Sequence, residues 1–298
     1  MKVLYHTGFG ETRTILTEND IPVEIIIHRD LVLNAGDIVR AKIKAFHSVL
    51  KGYFAETDKG DVFIPTSNTL TEGETVNVRI IKEARADKVA TAHFSDQSVT
   101  QTESKGTEIS AEQVDEIIDE AMAPDICLKN GGILRIERTR VCWTIDVDSG
   151  NSSDSLIAVN EIAVEEIVHQ IRLKNMGGLI LIDFAGSKRG KTAVALKNQI
   201  QKAFMGQKDV LVRGWTKSGL LEIERKRFRA DLWTLCAEDN PVNVYYRVRR
   251  AIDRCRLKHP VLTVSLPVFK LFQQQELRIK IKPACEVPVS YFSLEEEK

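Results

Sequence analysis

VCWTIDVDSG, residues 141–150, and GGLILIDF, residues 177–184, decide how this chain is read. Both are short apolar runs that reach an aspartate, and the second is the continuous apolar type of a buried strand. Between them, residues 155–173 place Ile157, Val164, Ile167, Val168 and Ile171 at the spacing of one helical face. Strand, helix and strand make a βαβ unit, whose parallel strands end at one sheet edge. A second unit is expected next, with a helix over 192–204 and a strand in DVLVRGW (209–215). Residues 126–240 are therefore expected to form an α/β domain on a sheet with parallel strands and right-handed crossovers.

Upstream the pattern is β. RTILT (13–17), VEIIIH (23–28), IVRAKIKAF (38–46), GYFAET (52–57), DVFIP (61–65) and TVNVRIIKEA (75–84) are short runs rich in β-branched residues, separated by turn signals. Close-spaced strands without helices predict a small barrel, an OB-fold over residues 35–97, whose strand face and loops take single-stranded oligonucleotides. Residues 1–34 are expected to form a β segment packing on the core. SDQSVTQTESKGTEIS (95–110) is filled with Ser, Thr, Gln and Gly, so 98–125 is read as a linker and a short acidic helix at 111–122. From 241 to 298, a basic helix around VYYRVRRAIDRCR (244–256), a strand LTVSL (262–266), a short helix and a strand LRIKIK (277–282) predict a small C-terminal α/β domain. The expected class is α+β and multidomain.

Lys plus Arg and Asp plus Glu number 42 each, yet the charge is segregated. Residues 213–282 hold 16 Lys and Arg against 7 Asp and Glu, whereas 103–125 hold 8 acids against one lysine. A basic C-terminal third suits a polyanion even in a neutral chain. No apolar run approaches the ~20 residues of a membrane span and no signal-peptide core is present, so a soluble cytoplasmic protein without membrane partners is expected. Five scattered cysteines without a C-x-x-C pair predict free thiols, with neither a disulfide framework nor a thiolate zinc site.

Asp146, Asp148 and Asp183 close the two deciding strands and are expected to converge. Asp146 and Asp148 share a strand face while Val147 points away. Taken singly, an aspartate after a strand commonly caps a turn; three at one sheet edge repel unless a cation lies between them. Hard oxygen ligands suit magnesium, with waters and a substrate phosphate completing its shell. AGSKRGKT (185–192) has the spacing of a phosphate-binding loop, with Ala185 where the pattern wants glycine. Contact between an RNA phosphate and the helix start at Lys191 is the expectation preferred over a nucleotide site.

TIDVDSG (144–150), NEIAVEEIVHQIRLKNMGGLILIDF (160–184) and SGLLEIERKR (218–227) closely resemble the core of the ribonuclease E/G family. The resemblance implies a deoxyribonuclease-like catalytic subdomain with two magnesium-binding aspartates, here Asp146 and Asp183, and manganese as a possible substitute. Asp148 stands where the family has asparagine, two residues after the first aspartate, and is expected either to orient the attacking water or to bind the metal. Phe54 and Phe63 fall where the family keeps aromatics that pack on a base, and Lys88 at its basic position. Lys191, Lys217 and Arg225 complete the expected RNA contacts. The implied activity is a magnesium-dependent endoribonuclease on single-stranded ribosomal or messenger RNA; the rival is a non-catalytic RNA-binding protein on the same fold. The segment between barrel and core is too short for the family's sensor of monophosphorylated ends. The paired cysteines of its zinc link are missing, with only Cys236 nearby, so no zinc and a monomer or weak homodimer are expected. Gly186 replaces the acidic residue that usually follows the second strand.

Overall fold

A computed structural model of the chain describes residues 1–85, 88–98, 106–186, 190–273 and 279–297. The chain opens with β1 (Lys2–Gly8), β2 (Glu11–Glu18) and β3 (Ile21–Arg29), an antiparallel meander. Alternation along β2 and β3 buries Ile15, Ile25 and Ile27 on one face.

The barrel comprises β4 (Ile38–His47), β5 (Gly52–Thr57), β6 (Gly60–Pro65), β7 (Thr75–Lys82) and β8 (Ala90–Phe94), closed in the order β4-β5-β6-β8-β7. Every neighbouring pair is antiparallel except β6 with β8, an OB-like connectivity. Its interior is filled by Val39, Ala41, Ile43, Tyr53, Ala55, Val62, Ile64, Val78, Ile80, Ala90 and Ala92. Because period-2 alternation puts those residues inside, Phe54 and Phe63 are driven to the outside.

β9 (Thr107–Glu108) then adds to the first sheet in parallel with β1. It leads into α1 (Ala111–Met122), whose start is fixed by a capping box between Ser110 and Gln113. Val114, Ile118 and Ala121 of α1 pack on Ile15, Ile25 and Ile27 and on Leu173 and Leu232 from the next block. The N-terminal strands thus pack on the core both through α1 and directly, with His169 meeting the carbonyl of Pro22 at 2.7 Å and Arg172 meeting Glu18 at 2.8 Å. Most of the linker expected after the barrel, residues 99–105, lies outside the described residues.

The third block runs β10 (Asp125–Cys127), β11 (Ile133–Arg138), β12 (Cys142–Asp148), α2 (Leu156–Leu173), β13 (Gly178–Asp183), α3 (Gly190–Ala203), β14 (Val210–Trp215), β15 (Leu221–Arg225) and α4 (Leu232–Cys236). The six strands form one sheet in the order β10-β11-β12-β13-β15-β14. Only β12 and β13 pair in parallel; β15 lies antiparallel between β13 and β14. The expected second βαβ unit is present, with β14 running in the same direction as β13, but β15 is inserted between the two strands. LLEIER (220–225) returns as the middle strand of that half, and β14 takes the edge. Ile145, Val147, Ile180 and Ile182 pack beneath α2 and α3 through Val164, Ile167, Ile171, Leu196 and Ile200.

The last block is α5 (Pro241–Arg254), β16 (Pro260–Ser265), α6 (Leu266–Phe272), β17 (Lys280–Ala284) and β18 (Phe292–Glu296), with β16 central in a three-stranded sheet. Tyr245, Tyr246, Val248, Leu262, Val264 and Phe272 make its core.

One buried cation in the third block gives a stability test. Lys174 is 1% exposed, and its Nζ donates to the carbonyls of Ala121 and Ala123 (the latter 3.2 Å), closing the C-terminal end of α1. Burial lowers its pKa to about 8 from the ordinary 10.5. Between those values the unfolded chain binds a proton that the folded one does not, so stability rises with pH. Wild type minus Lys174→Met, by denaturant unfolding, is expected to grow by roughly 2 kcal/mol from pH 7 to 9.5. A flat difference would show that Lys174 keeps its normal proton affinity.

Candidate functional site

Asp146 and Asp183 are direct partners in the β12–β13 parallel ladder. Their neighbours Ile145, Val147 and Ile182 face α2 and α3, so both aspartates project from the opposite face of the sheet. Asp146 is 55% exposed at the side chain and Asp183 is half-buried. Asp148 lies two residues further on the same face, at the end of β12. One carboxylate oxygen accepts from Gly150 N at 2.9 Å, an Asx-type closure of the turn in which Gly150 has φ +53°. Its other oxygen accepts from Arg135 Nη1 at 2.7 Å, and the same nitrogen is 3.5 Å from Asp146 Oδ2. The Arg135 guanidinium, helped by the Gly150 amide, holds the Asp148 carboxyl below its usual range. Asp148 is thus drawn toward β11, while Asp183 stands on the β13 side.

The turn after Asp183 is held from below. Asn160 of α2, 2% exposed, donates to the carbonyl of Ala185 at 2.9 Å and accepts from its amide at 3.0 Å. Gly186 follows at φ +78°, where a Cβ would lie 2.7 Å from Leu156 Cδ1. The position that lost its acidic residue is therefore a left-handed turn tight against α2. Arg135 and Asn160 were not singled out from sequence. Arg135 sits in an alternating strand where a charged residue signals only a solvated face, and Asn160 reads as an ordinary polar helix residue.

Two of the expected basic contacts reach the aspartate end. Lys191 is exposed in the first turn of α3, directly after β13, and Lys217 is exposed in the turn joining β14 to β15. That turn closes at the pair Trp215–Leu221, and Leu221 is also paired with Ile182 beside Asp183. Ser187, Lys188 and Arg189 of the phosphate-loop-like stretch lie outside the described residues.

Arg225 is different. It pairs with Gly178, at the opposite end of β13 from Asp183. Its guanidinium donates to Asp209 at 3.0 Å and to the carbonyls of Ile171 and Met176, with the side chain 13% exposed. This placement does not favour its expected RNA contact: Nε and Nη1 serve Asp209 and the carbonyls of Ile171 and Met176, and the side chain ties α2 to the sheet at the end away from the aspartates.

On the barrel, Phe54 and Phe63 are cross-strand partners with ring centroids 5.3 Å apart, both half-exposed outside the core. His47 meets the edge of Phe54 at 5.9 Å. Neither phenylalanine belongs to the barrel core, which Tyr53, Ala55, Val62 and Ile64 occupy. Lys88 is exposed in the β7–β8 loop, bridged to Arg85, on the rim of a cavity of about 460 Å³. That cavity is walled by barrel residues Lys59 and Asp61 and by Thr234 and Asn240. Glu83 joins the two sides, accepting from Ala35 N at 3.1 Å and Ala230 N at 2.7 Å.

The chemistry of the donor set suits a hard divalent cation. Magnesium is usually held by one or two carboxylates with waters and substrate oxygens around it, and two directly paired aspartates offer that. Among the described residues no cluster of three or more His, Cys, Asp or Glu is assembled as a cage. Cys236 has its thiol pushed up to about 11 by burial, the opposite of what a thiolate ligand needs.

The pattern of an OB-like barrel followed by a sheet bearing paired aspartates has a match among known families. The model of the ribonuclease E/G family matches residues 58–228, which include β6 to β8 of the barrel and the aspartate-bearing sheet. The chain belongs to the ribonuclease E/G family. It is 30% identical over 195 residues to ribonuclease G of Haemophilus influenzae, covering 62% of this chain and 38% of that protein. It is 28% identical over 175 residues to ribonuclease G of Escherichia coli K12, covering 54% and 36%. With ribonuclease E of Synechocystis it shares 32% over 136 residues, covering 43% and 20%. The matched stretches thus span well under half of these relatives' lengths. Among the described residues no helix is long and apolar enough to cross a membrane.

Proposed function

We propose that this protein is a magnesium-dependent endoribonuclease acting on single-stranded RNA, with manganese able to replace magnesium. The observation that carries the reading is the direct pairing of Asp146 with Asp183 on parallel strands, flanked at the same sheet end by Lys191 and Lys217. Asp146 and Asp183 would hold the ion, which when bound would polarise a phosphodiester and make a bound water more acidic. Asn160 fixes the turn behind Asp183, so that carboxylate is oriented before RNA arrives. Asp148 orients the attacking water from its Gly150-closed turn. Lys191 and Lys217 neutralise flanking phosphates, and Phe54 and Phe63 stack on bases while Lys88 meets the backbone.

Single-strand preference follows from the aromatic pair. Stacking on a protein ring requires a base whose face is free, which a duplex denies. The chain alone, mixed with end-labelled RNA, is expected to cut single strands internally in magnesium and to spare the same sequence in a duplex. Chelation with EDTA is expected to stop cleavage. Equal cutting of duplex and single strand, or cleavage that persists in EDTA, would overturn the reading.

A further inference from the structure

Three carboxylates share one face at this sheet end, yet they are not equivalent. Arg135 lies opposite Asp146 on one side and opposite Asp125 of β10 on the other, and its hydrogen bonds go to Asp148 and, at longer range, to Asp146. Both oxygens of Asp148 are engaged, one by Arg135 and one by the Gly150 amide. A guanidinium keeps its charge at any pH the protein tolerates, so this pairing is not broken by loss of the arginine's proton. The cation that Asp148 satisfies is therefore internal, and it competes with any ion for the neighbouring carboxylate Asp146.

Building on the proposed function, we propose that Arg135 is a positioning residue that holds Asp148 out of the metal's coordination shell and so restricts the ligands to Asp146 and Asp183. Without it, a third carboxylate would enter the shell, tighten binding of the ion and take a position that water or the substrate phosphate needs. With it, the aspartate that could have become a ligand serves the turn and the water instead. The side chain of Arg135 is 43% exposed, so its removal perturbs charge more than packing.

The test is binding of manganese to the nucleic-acid-free protein, read from the free-ion signal in electron paramagnetic resonance. Arg135→Met is expected to bind manganese about tenfold more tightly than wild type, the low end of what one charge within ~4–6 Å does to an ionisable partner. Asp148→Asn should act in the opposite sense. It leaves Arg135 free to turn fully onto Asp146, so affinity falls about tenfold. The double variant Arg135→Met with Asp148→Asn is expected to bind manganese within about threefold of wild type. A structural role alone would move all three variants in one direction. Unchanged or weaker binding in Arg135→Met, or no recovery in the double variant, overturns the inference while leaving Asp146 and Asp183 as ligands. Manganese binding that survives Asp146→Asn would instead overturn the ligand assignment beneath it.

Discussion

Changing Asp146 or Asp183 to Asn is expected to lower cleavage of single-stranded RNA by at least about 10³-fold, the several kcal/mol that a bound ion supplies to a developing phosphate charge. The amide keeps the shape of the carboxylate and loses only its charge. Both side chains project from the face away from α2 and α3; Asp146 is more than half exposed and Asp183 half-buried, and the amide fills the same volume at each. Melting temperature should therefore stay close to wild type, and RNA affinity without metal should not fall, because base stacking lies on the barrel and losing a carboxylate beside Lys191 and Lys217 removes no attraction for phosphate. The assay is single-turnover cleavage at saturating enzyme, with RNA binding measured in EDTA. Cleavage within a factor of ten of wild type in either variant would remove these residues from the catalytic centre. Loss of RNA binding together with loss of cleavage would mean a binding role rather than a chemical one.

The second large effect is on the barrel. Phe54→Ala is expected to weaken binding of single-stranded RNA by ~1–3 kcal/mol, roughly fivefold to more than a hundredfold, and Phe63→Ala by a similar amount. Their rings touch, so the double variant should lose less than the sum. The salt dependence should hardly move in either, since a neutral ring releases no counterions. Lys88→Ala is expected to do the reverse, reducing the slope of log affinity against log salt by about 0.7 with a modest loss of affinity. Fluorescence anisotropy across a salt series separates the two. Stability should follow position: Tyr53 is buried and its hydroxyl accepts from Leu70 N at 3.1 Å, so Tyr53→Ala should unfold the barrel far more readily than Phe54→Ala. If the phenylalanine variants lose stability instead of affinity, the rings serve packing.

The strands of the barrel are legible because each alternates, and the alternation that puts Tyr53 and Ala55 inside also puts Phe54 outside. Asp146 and Asp183 are legible for a related reason: one crossover helix forces their strands parallel, and strand ends then coincide. The insertion of β15 between β13 and β14 is not legible, since local pattern fixes a strand's period but not its partner. Arg225 illustrates the cost of reading a charge from sequence. Its place in a basic run suggests a polyanion contact, and only the fold reveals that Asp209 and the carbonyls of Ile171 and Met176 engage it. Arg135 is the converse, an unremarked arginine that the β11–β12 register carries to the aspartates. Asp148 in place of an asparagine has a physical counterpart in that arginine, a fact that exists only across two strands.

The central claim is that Asp146 and Asp183 together hold a catalytic divalent ion, and a manganese titration of wild type beside Asp183→Asn tests it most directly. One saturable site in wild type, competed by magnesium and absent from Asp183→Asn at matched protein concentration, is the predicted result. No saturable site in wild type, or the same site with the same affinity in Asp183→Asn, would contradict it.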